Sequence, residues 1–434
     1  MPIAIPRHIL NGEAGLGLAK LIKLIESRPE MSDRTFAGAL KEHAPEALLP
    51  RLEAALRRAF GERTDERVTD VQWGDVTEEK AGAFLILKSG DRLGMLTRAG
   101  AGGGPIWSLV ERIPAGVTVR EAVPDDGPAL REIERTTPMA FSGGAVTYDK
   151  GDDYFAQDRL KEHGMTFVIE VEGKTAGLFK IAQRRLHVAG EVRHFTYAHR
   201  HRVAPWAQGR GLHYVINFLT YVETPPGATR YDLIRSDHSL TRNMAAGSSW
   251  SVLPARVLID TEAHASTEVS VGRSATRDDA NVLVDLFNET HGDKALFVPY
   301  GVPSLAGRLS RSPDDYTWGE IRLGHGAAVG IWPADWQVAH RTEGRQVTDR
   351  RAIVLDYGVR SGALAEFIDL LRAACTEMAA RGITEISIFT TQGDLARESL
   401  LGMGKAVEPY RLLMPWPEPP NLAAKGIYLD QIYL

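Results

Sequence analysis

Val203-Ala204-Pro205-Trp206-Ala207-Gln208-Gly209-Arg210-Gly211-Leu212-His213 joins a strand-like segment, Glu191 to Val203, to a helix-like one, Leu212 to Val222. Gln208, Gly209, Arg210 and Gly211 bring several backbone N–H groups to a helix N-terminus. Such a turn cradles anions. The N–H groups point outward, the helix dipole favours negative charge, and glycine lets the backbone come close. A Gly-x-Gly is a common turn element on its own, so the surrounding segments have to decide what the turn serves.

Upstream lies Val119-Arg120-Glu121-Ala122-Val123-Pro124-Asp125-Asp126, followed by a helical pattern through Ile133. Met165 to Glu170 and Lys174 to Ile181 read as a hairpin closed at Glu172-Gly173. Tyr231 to Arg235 is a short strand after the loop helix. This order, with the loop, resembles the GCN5-related N-acetyltransferases (the GNAT family). Their pyrophosphate loop reads Gln/Arg-x-x-Gly-x-Gly/Ala after a strand ending Val-x-Pro. Gln208 and Gly211 match it, and His213 stands where Gly or Ala is usual.

A second stretch repeats the opening. Val271-Gly272-Arg273-Ser274-Ala275-Thr276-Arg277-Asp278-Asp279-Ala280 has the form of the run from Val119 to Gly127. Ala352 to Val359 is strand-like, Leu364 to Arg381 an amphipathic helix, Glu385 to Thr390 a strand and Leu395 to Met403 a helix. The loop of this copy, Val359-Arg360-Ser361-Gly362-Ala363, keeps one glycine. The expected organisation is a small α+β domain over 1–116, a GNAT domain over 117–262 and a degenerate GNAT-like domain over 268–434, joined through the small, polar run Thr261 to Thr267. The fold class is α/β (α+β): a mixed, mostly antiparallel sheet flanked by helices, in tandem. In 1–116, Leu18 to Ile25 and Ala47 to Phe60 read as helices. Val68 to Trp73, Gly82 to Lys88, Leu93 to Thr97 and Ile106 to Val110 read as strands. The glycine-rich run Ala99 to Pro105 lacks a phosphate loop's Gly-Lys-Ser/Thr and reads as a hairpin connection.

Bulk properties set the class. The chain has 434 residues, 44% hydrophobic and 25% charged, with a net charge of −5. That suits a globular multidomain chain and gives no basic signature for nucleic acid. The single cysteine, Cys375, excludes an intramolecular disulfide and reads as a small core residue in a helix. His, Asp and Glu show no metal-site spacing, so no metal is expected. No run is long and apolar enough to cross a bilayer and no signal-peptide core is present, which points to the cytoplasm.

The resemblance implies acyl transfer from acetyl-CoA or another acyl-CoA to a small-molecule amine, through a tetrahedral intermediate. A GNAT-fold transferase that uses carrier-protein phosphopantetheine or aminoacyl-tRNA as donor, and a non-catalytic acyl-CoA sensor, are the alternatives. Donor binding falls on Val203, Gln208, Gly209, Arg210, Gly211, Leu212 and His213, with Asn243 against the pantetheine arm. Family members often carry a Glu base on the long strand. Here that strand offers Tyr197, His199 and His201, which share a face with Val203 unless a bulge intervenes. The span Met244 to Trp250 holds no Tyr to serve as acid; Ser248, Ser249, Asp237 and His238 are the polar groups nearby. Trp206 either stacks on adenine or packs on the loop helix. Trp332-Pro333-Ala334-Asp335-Trp336 and His340-Arg341 read as an irregular aromatic connection, lining a groove or packing as satellite core.

Overall fold

The structure, a computed structural model, describes residues 10–11, 68–73, 80–87, 92–98, 107–141, 144–188, 190–225, 228–236, 254–265, 271–342, 345–413, 426–430 and 432. The chain divides into two compact units. One comprises Met1–Glu121, Phe167–Ile181 and Arg200–Arg230; the other comprises Ala122–Thr166, Ala182–His199 and Tyr231–Leu434.

The first unit holds an antiparallel sheet of β1 (Leu10–Asn11), β2 (Val68–Trp73), β3 (Lys80–Leu87), β4 (Arg92–Arg98) and β5 (Trp107–Ile113), ordered β1-β5-β4-β3-β2. These include the four strands expected in 1–116. The helices expected at 18–25 and 47–60 and the run Ala99 to Pro105 lie outside the described residues. β6 (Val117–Glu121) follows. Next come a 3-10 turn at Pro124–Asp126, α1 (Gly127–Thr136), β7 (Met139–Phe141), β8 (Gly144–Asp149) and α2 (Ala156–Leu160). The turn is closed by Asp126, whose Oδ2 accepts from Val123 N at 2.8 Å. Three long strands then run through both units: β9 (His163–Val171), β10 (Lys174–Val188) and β11 (Glu191–Val203). In the first unit β6 pairs antiparallel with β9. Phe167 and Phe179 stack there with ring centroids 4.8 Å apart. Glu172 and Gly173 take left-handed φ of 53° and 76°, which makes the tight turn between β9 and β10.

A 3-10 turn, Pro205–Ala207, leads to α3 (Leu212–Glu223) and β12 (Thr229–Arg235). β13 (Ala255–Asp260) and the one-turn α4 (Thr261–His264) come next, so the expected linker is partly helical. Asp260 caps it, accepting from Ala263 N at 2.9 Å. The second copy repeats the opening of the first. β14 (Arg273–Ser274), a 3-10 turn at Arg277–Asp279 and α5 (Ala280–His291) correspond to β6, its turn and α1. Asp279 closes the turn as Asp126 does, accepting from Thr276 N at 2.8 Å. α6 (Val302–Leu309), β15 (Ile321–Leu323), β16 (Ala327–Thr342), β17 (Arg345–Val359), α7 (Leu364–Ala380), β18 (Glu385–Thr390), α8 (Arg397–Met403) and β19 (Lys405–Leu413) complete it. β13 is inserted between β18 and β19, antiparallel to both, and β19 also pairs with β12. β17 and β18 run parallel, which makes a mostly antiparallel sheet mixed.

One reading is corrected. Trp332 to Trp336 and His340-Arg341 are not an irregular connection but belong to β16, which pairs with β17 on one side and β8 on the other. Pro333 has no N–H to give the ladder, and the register shifts between Trp332 and Trp336. Both indoles are buried and meet edge to face at 5.6 Å, as core. Cys375 is also core. It is fully buried on α7, and burial pushes its thiol up to about 12. No helix among the described residues is long and apolar enough to cross a membrane.

Candidate functional site

The loop begins where β11 ends, at Val203. Ala204 N donates to Ala176 O at 2.8 Å. Beside it, Gly177 lets β10 and β11 close up: a Cβ there would meet Arg202 O at 2.7 Å. The chain then turns through Pro205–Ala207. Ala204 and Ala207 are buried, while Trp206, Gln208, Gly209 and Arg210 are exposed. Gly209 and Gly211 both take left-handed φ, 81° and 76°. Nothing lies within 4 Å of the position a Gly209 Cβ would take, so the backbone there faces open space. Gln208 Nε2 donates to Val203 O at 3.3 Å and holds the strand end against the loop. Leu212 anchors the first turn of α3, which has no acidic residue; His213 is exposed. The run from Arg200 to His213 contains three arginines and no carboxylate. Its fixed charges are therefore all cationic, which suits an anion.

The three strand candidates do not share one environment. Arg200 takes a left-handed φ of 57° inside β11, and that residue breaks the two-residue alternation. The expected common face of Tyr197, His199, His201 and Val203 therefore ends at His199. In the second unit Tyr197 stacks on His199 at 4.9 Å and on Tyr231 at 5.0 Å, all buried. His199 Nε2 lies 3.1 Å from Lys161 Nζ. Lys161 Nζ in turn donates to Asp158 Oδ1 at 3.0 Å, and Thr166 Oγ1 donates to Asp158 Oδ2 at 2.7 Å. With Lys161 as an ammonium, Nε2 is the acceptor and the ring carries its proton on Nδ1. In the first unit His201 is half-buried, and its Nε2 is shielded without a hydrogen-bond partner. Burial first, then Arg230 and Arg202, bring its pKa down to about 3. Asn243, Ser248, Ser249, Asp237 and His238 lie outside the described residues.

Sequence reasoning missed the polar side chains around α2. Lys150 is buried, with Nζ donating to Gln157 Oε1 at 3.2 Å and lying 3.6 Å from Glu134 Oε1. Tyr154 donates to Glu134 Oε1 at 3.0 Å, and Gln157 Nε2 donates to Ile432 O at 3.0 Å. Two buried lysines flanking one five-residue helix are rare in a core, because each ammonium must be repaid by close partners. No local signal points to them, because Asp149-Lys150-Gly151-Asp152-Asp153 has the composition of a solvated turn.

His340, Asp349 and Glu385 also converge, with ligand atoms within 4.8 Å of one another. Arg351 lies between them. It pairs with Glu385 at 2.7 Å and approaches His340 Nε2 at 3.4 Å. A guanidinium in that place supplies the positive charge a cation would otherwise supply, so the cluster reads as a half-buried ion network.

No family model matches the sequence, and no curated protein matches it. Solved structures do. Saccharomyces cerevisiae N-myristoyltransferase with bound myristoyl-CoA and inhibitors aligns at 8% identity and a TM-score of 0.50, over 69% of this chain and 81% of its own. The same yeast protein with bound myristoyl-CoA aligns at 9% identity and 0.50, over 69% and 79%. The chain has the GNAT fold. A GCN5-related N-acetyltransferase from Kribbella flavida aligns at 12% identity over 68% of this chain and 70% of its own, with a TM-score of 0.37. At such identities the likeness is one of fold.

Proposed function

We propose that the protein is a GNAT-fold N-acyltransferase that takes an acyl group from acyl-CoA and passes it to the amine of a small-molecule acceptor. The observation that carries this reading is the loop from Val203 to His213. Two left-handed glycines open the N-terminus of α3, the first faces open space, and the neighbouring fixed charges are all cationic. A diphosphate is the group such a loop suits best. Gln208, Gly209, Arg210, Gly211 and Leu212 hold it, with His213 on the exposed side of the first turn. By the family resemblance, Val203 at the end of β11 is the residue proposed to lie beside the thioester carbonyl. The working copy spans 117–262, and 268–434 shapes the structure.

His199 is the proposed proton acceptor, with Tyr197 stacked against it. While the Lys161 ammonium donates to Nε2, the ring has no free lone pair. Proton uptake by His199 therefore requires the Lys161 proton to leave Nε2, and Asp158 is the carboxylate beside it. His201 is the weaker base, because a ring whose pKa is about 3 holds a proton poorly at neutral pH.

The test is release of free thiol from acetyl-, octanoyl- and myristoyl-CoA with a panel of amines, alongside mass spectrometry of the CoA species that co-purifies. Amine-dependent thiol release supports the transferase. CoA binding with no release under any pairing would favour a sensor, and no CoA binding at all would remove the donor assignment.

A further inference from the structure

Trp206 is the exposed aromatic residue of the loop, with 39% of its surface open, between the buried Ala204 and Ala207. An indole exposed to that extent on a fixed backbone presents part of its ring to a ligand. Two cations approach its ring. Lys174 Nζ lies 4.5 Å from the ring centroid and Arg210 Cζ 5.6 Å. They come from different elements. Lys174 is the first residue of β10, delivered by the left-handed Glu172-Gly173 turn, and Arg210 sits between the two left-handed loop glycines. The indole thus gathers two long, otherwise mobile side chains beside the diphosphate loop.

A diphosphate bound by backbone N–H groups does not need this arrangement. A purine nucleotide with a further phosphate monoester does. The indole offers a face for the base, and an ammonium with a guanidinium suits a phosphate dianion. We propose that Lys174, Trp206 and Arg210 form the subsite for the adenosine 3′-phosphate end of CoA. The subsite selects a free CoA thioester over a phosphopantetheine thioester attached to a carrier protein, which carries neither purine nor monoester. This inference rests on the loop binding the donor diphosphate.

The experiment is calorimetric titration of the full chain with CoA, dephospho-CoA (which lacks the 3′-phosphate) and 4′-phosphopantetheine. The native protein binds CoA about tenfold or more tighter than dephospho-CoA, the scale of one charge-assisted phosphate contact. Lys174→Met with Arg210→Met brings that ratio close to one, because CoA loses more affinity than dephospho-CoA does. Lys174→Arg keeps the ratio. Trp206→Ala weakens both CoA and dephospho-CoA, CoA at least as much, and spares phosphopantetheine. Equal affinity of the native protein for CoA and dephospho-CoA overturns the subsite, as does a ratio untouched by the double substitution. Failure of the native protein to bind any of the three is a different result and removes the donor reading itself.

Discussion

Gly211 and Gly209 differ from every other residue of the loop in needing φ values that a side chain resists, 76° and 81°. Gly209→Ala meets no neighbour, so its effect is confined to backbone strain, about 1–2 kcal/mol. Gly211→Val adds a branched side chain at the mouth of α3. We expect it to cost acetyl-CoA affinity at least tenfold more than Gly209→Ala does, read by titration beside a thermal melt to separate binding from folding. Equal effects of the two would remove Gly211 as the close-approach position. His201 gives a second expectation at this scale. Its folded pKa is about 3, below the unfolded value of about 6.5. Between those values the unfolded chain binds a proton that the folded chain refuses. The stability linked to this ring is thus complete above about pH 6.5 and lost as pH falls toward about 3. His201→Asn should flatten that part of the denaturation midpoint against pH. If His199 is the base, His199→Ala lowers turnover about 10²–10⁴-fold while His201→Ala does not. A turnover that falls equally with both substitutions, or with neither, would point elsewhere.

α2 carries two polar side chains into buried surroundings. Its five residues carry Gln157 toward Lys150 and Ile432, and Asp158 toward Lys161 and Thr166. The Lys161 and Asp158 side chains are 0% and 8% exposed. Removing one partner leaves the other charge buried without compensation, so Lys161→Met should destabilise the protein by about 3–5 kcal/mol in chemical denaturation. The double change Lys161→Met with Asp158→Leu should recover much of that, and a loss no larger than that of an exposed lysine would show the pair to be solvated. Nothing in the sequence marks this network. Gln157-Asp158-Arg159-Leu160-Lys161 has the composition of a solvated helix face, and burial is decided by segments far along the chain. Where local signals dominate, the reading was close. β11 and β18 have the expected bounds because turn residues flank both. α3 extends one residue beyond expectation, and the Asp-closed turns before α1 and α5 repeat as read. The errors have physical causes as well. Pro333 suggested a break, but two partner strands hold β16 through a bulge. Arg200 gave no warning, because a left-handed φ at a non-glycine position is invisible in sequence. The loop was legible because its glycines are a backbone requirement; the histidines' surroundings are a tertiary one.

At the scale of the whole chain, the strand, turn and helix of the opening occur twice, and the two copies differ at the helix start proposed to bind the donor. Before α3, two left-handed glycines precede a first turn free of acid. Before α7, only Gly362 is left-handed in the corresponding run from Val359 to Ala363, and the first turn carries Glu366. That carboxylate is already engaged. Its two oxygens accept from His325 N and Gly326 N, each at 2.7 Å. A negative side chain at the positive end of a helix satisfies the dipole that a phosphate would otherwise satisfy, and repels a phosphate that approaches. Gly326 is pressed against Ala363, where a Cβ would come to 2.7 Å, so the turn is also closed by packing. On the proposed reading, the Glu366 carboxylate and the turn it holds stand in the second copy where the first would take a ligand. Calorimetric titration with acetyl-CoA should give about one equivalent per chain, and Gly362→Val should leave both affinity and stoichiometry unchanged. Glu366→Gln weakens its hold on His325 N and Gly326 N and should lower thermal stability without creating a second strong site. Two equivalents in the native chain, with one abolished at Gly362, would mean that Glu366 moves aside and that both copies bind donor.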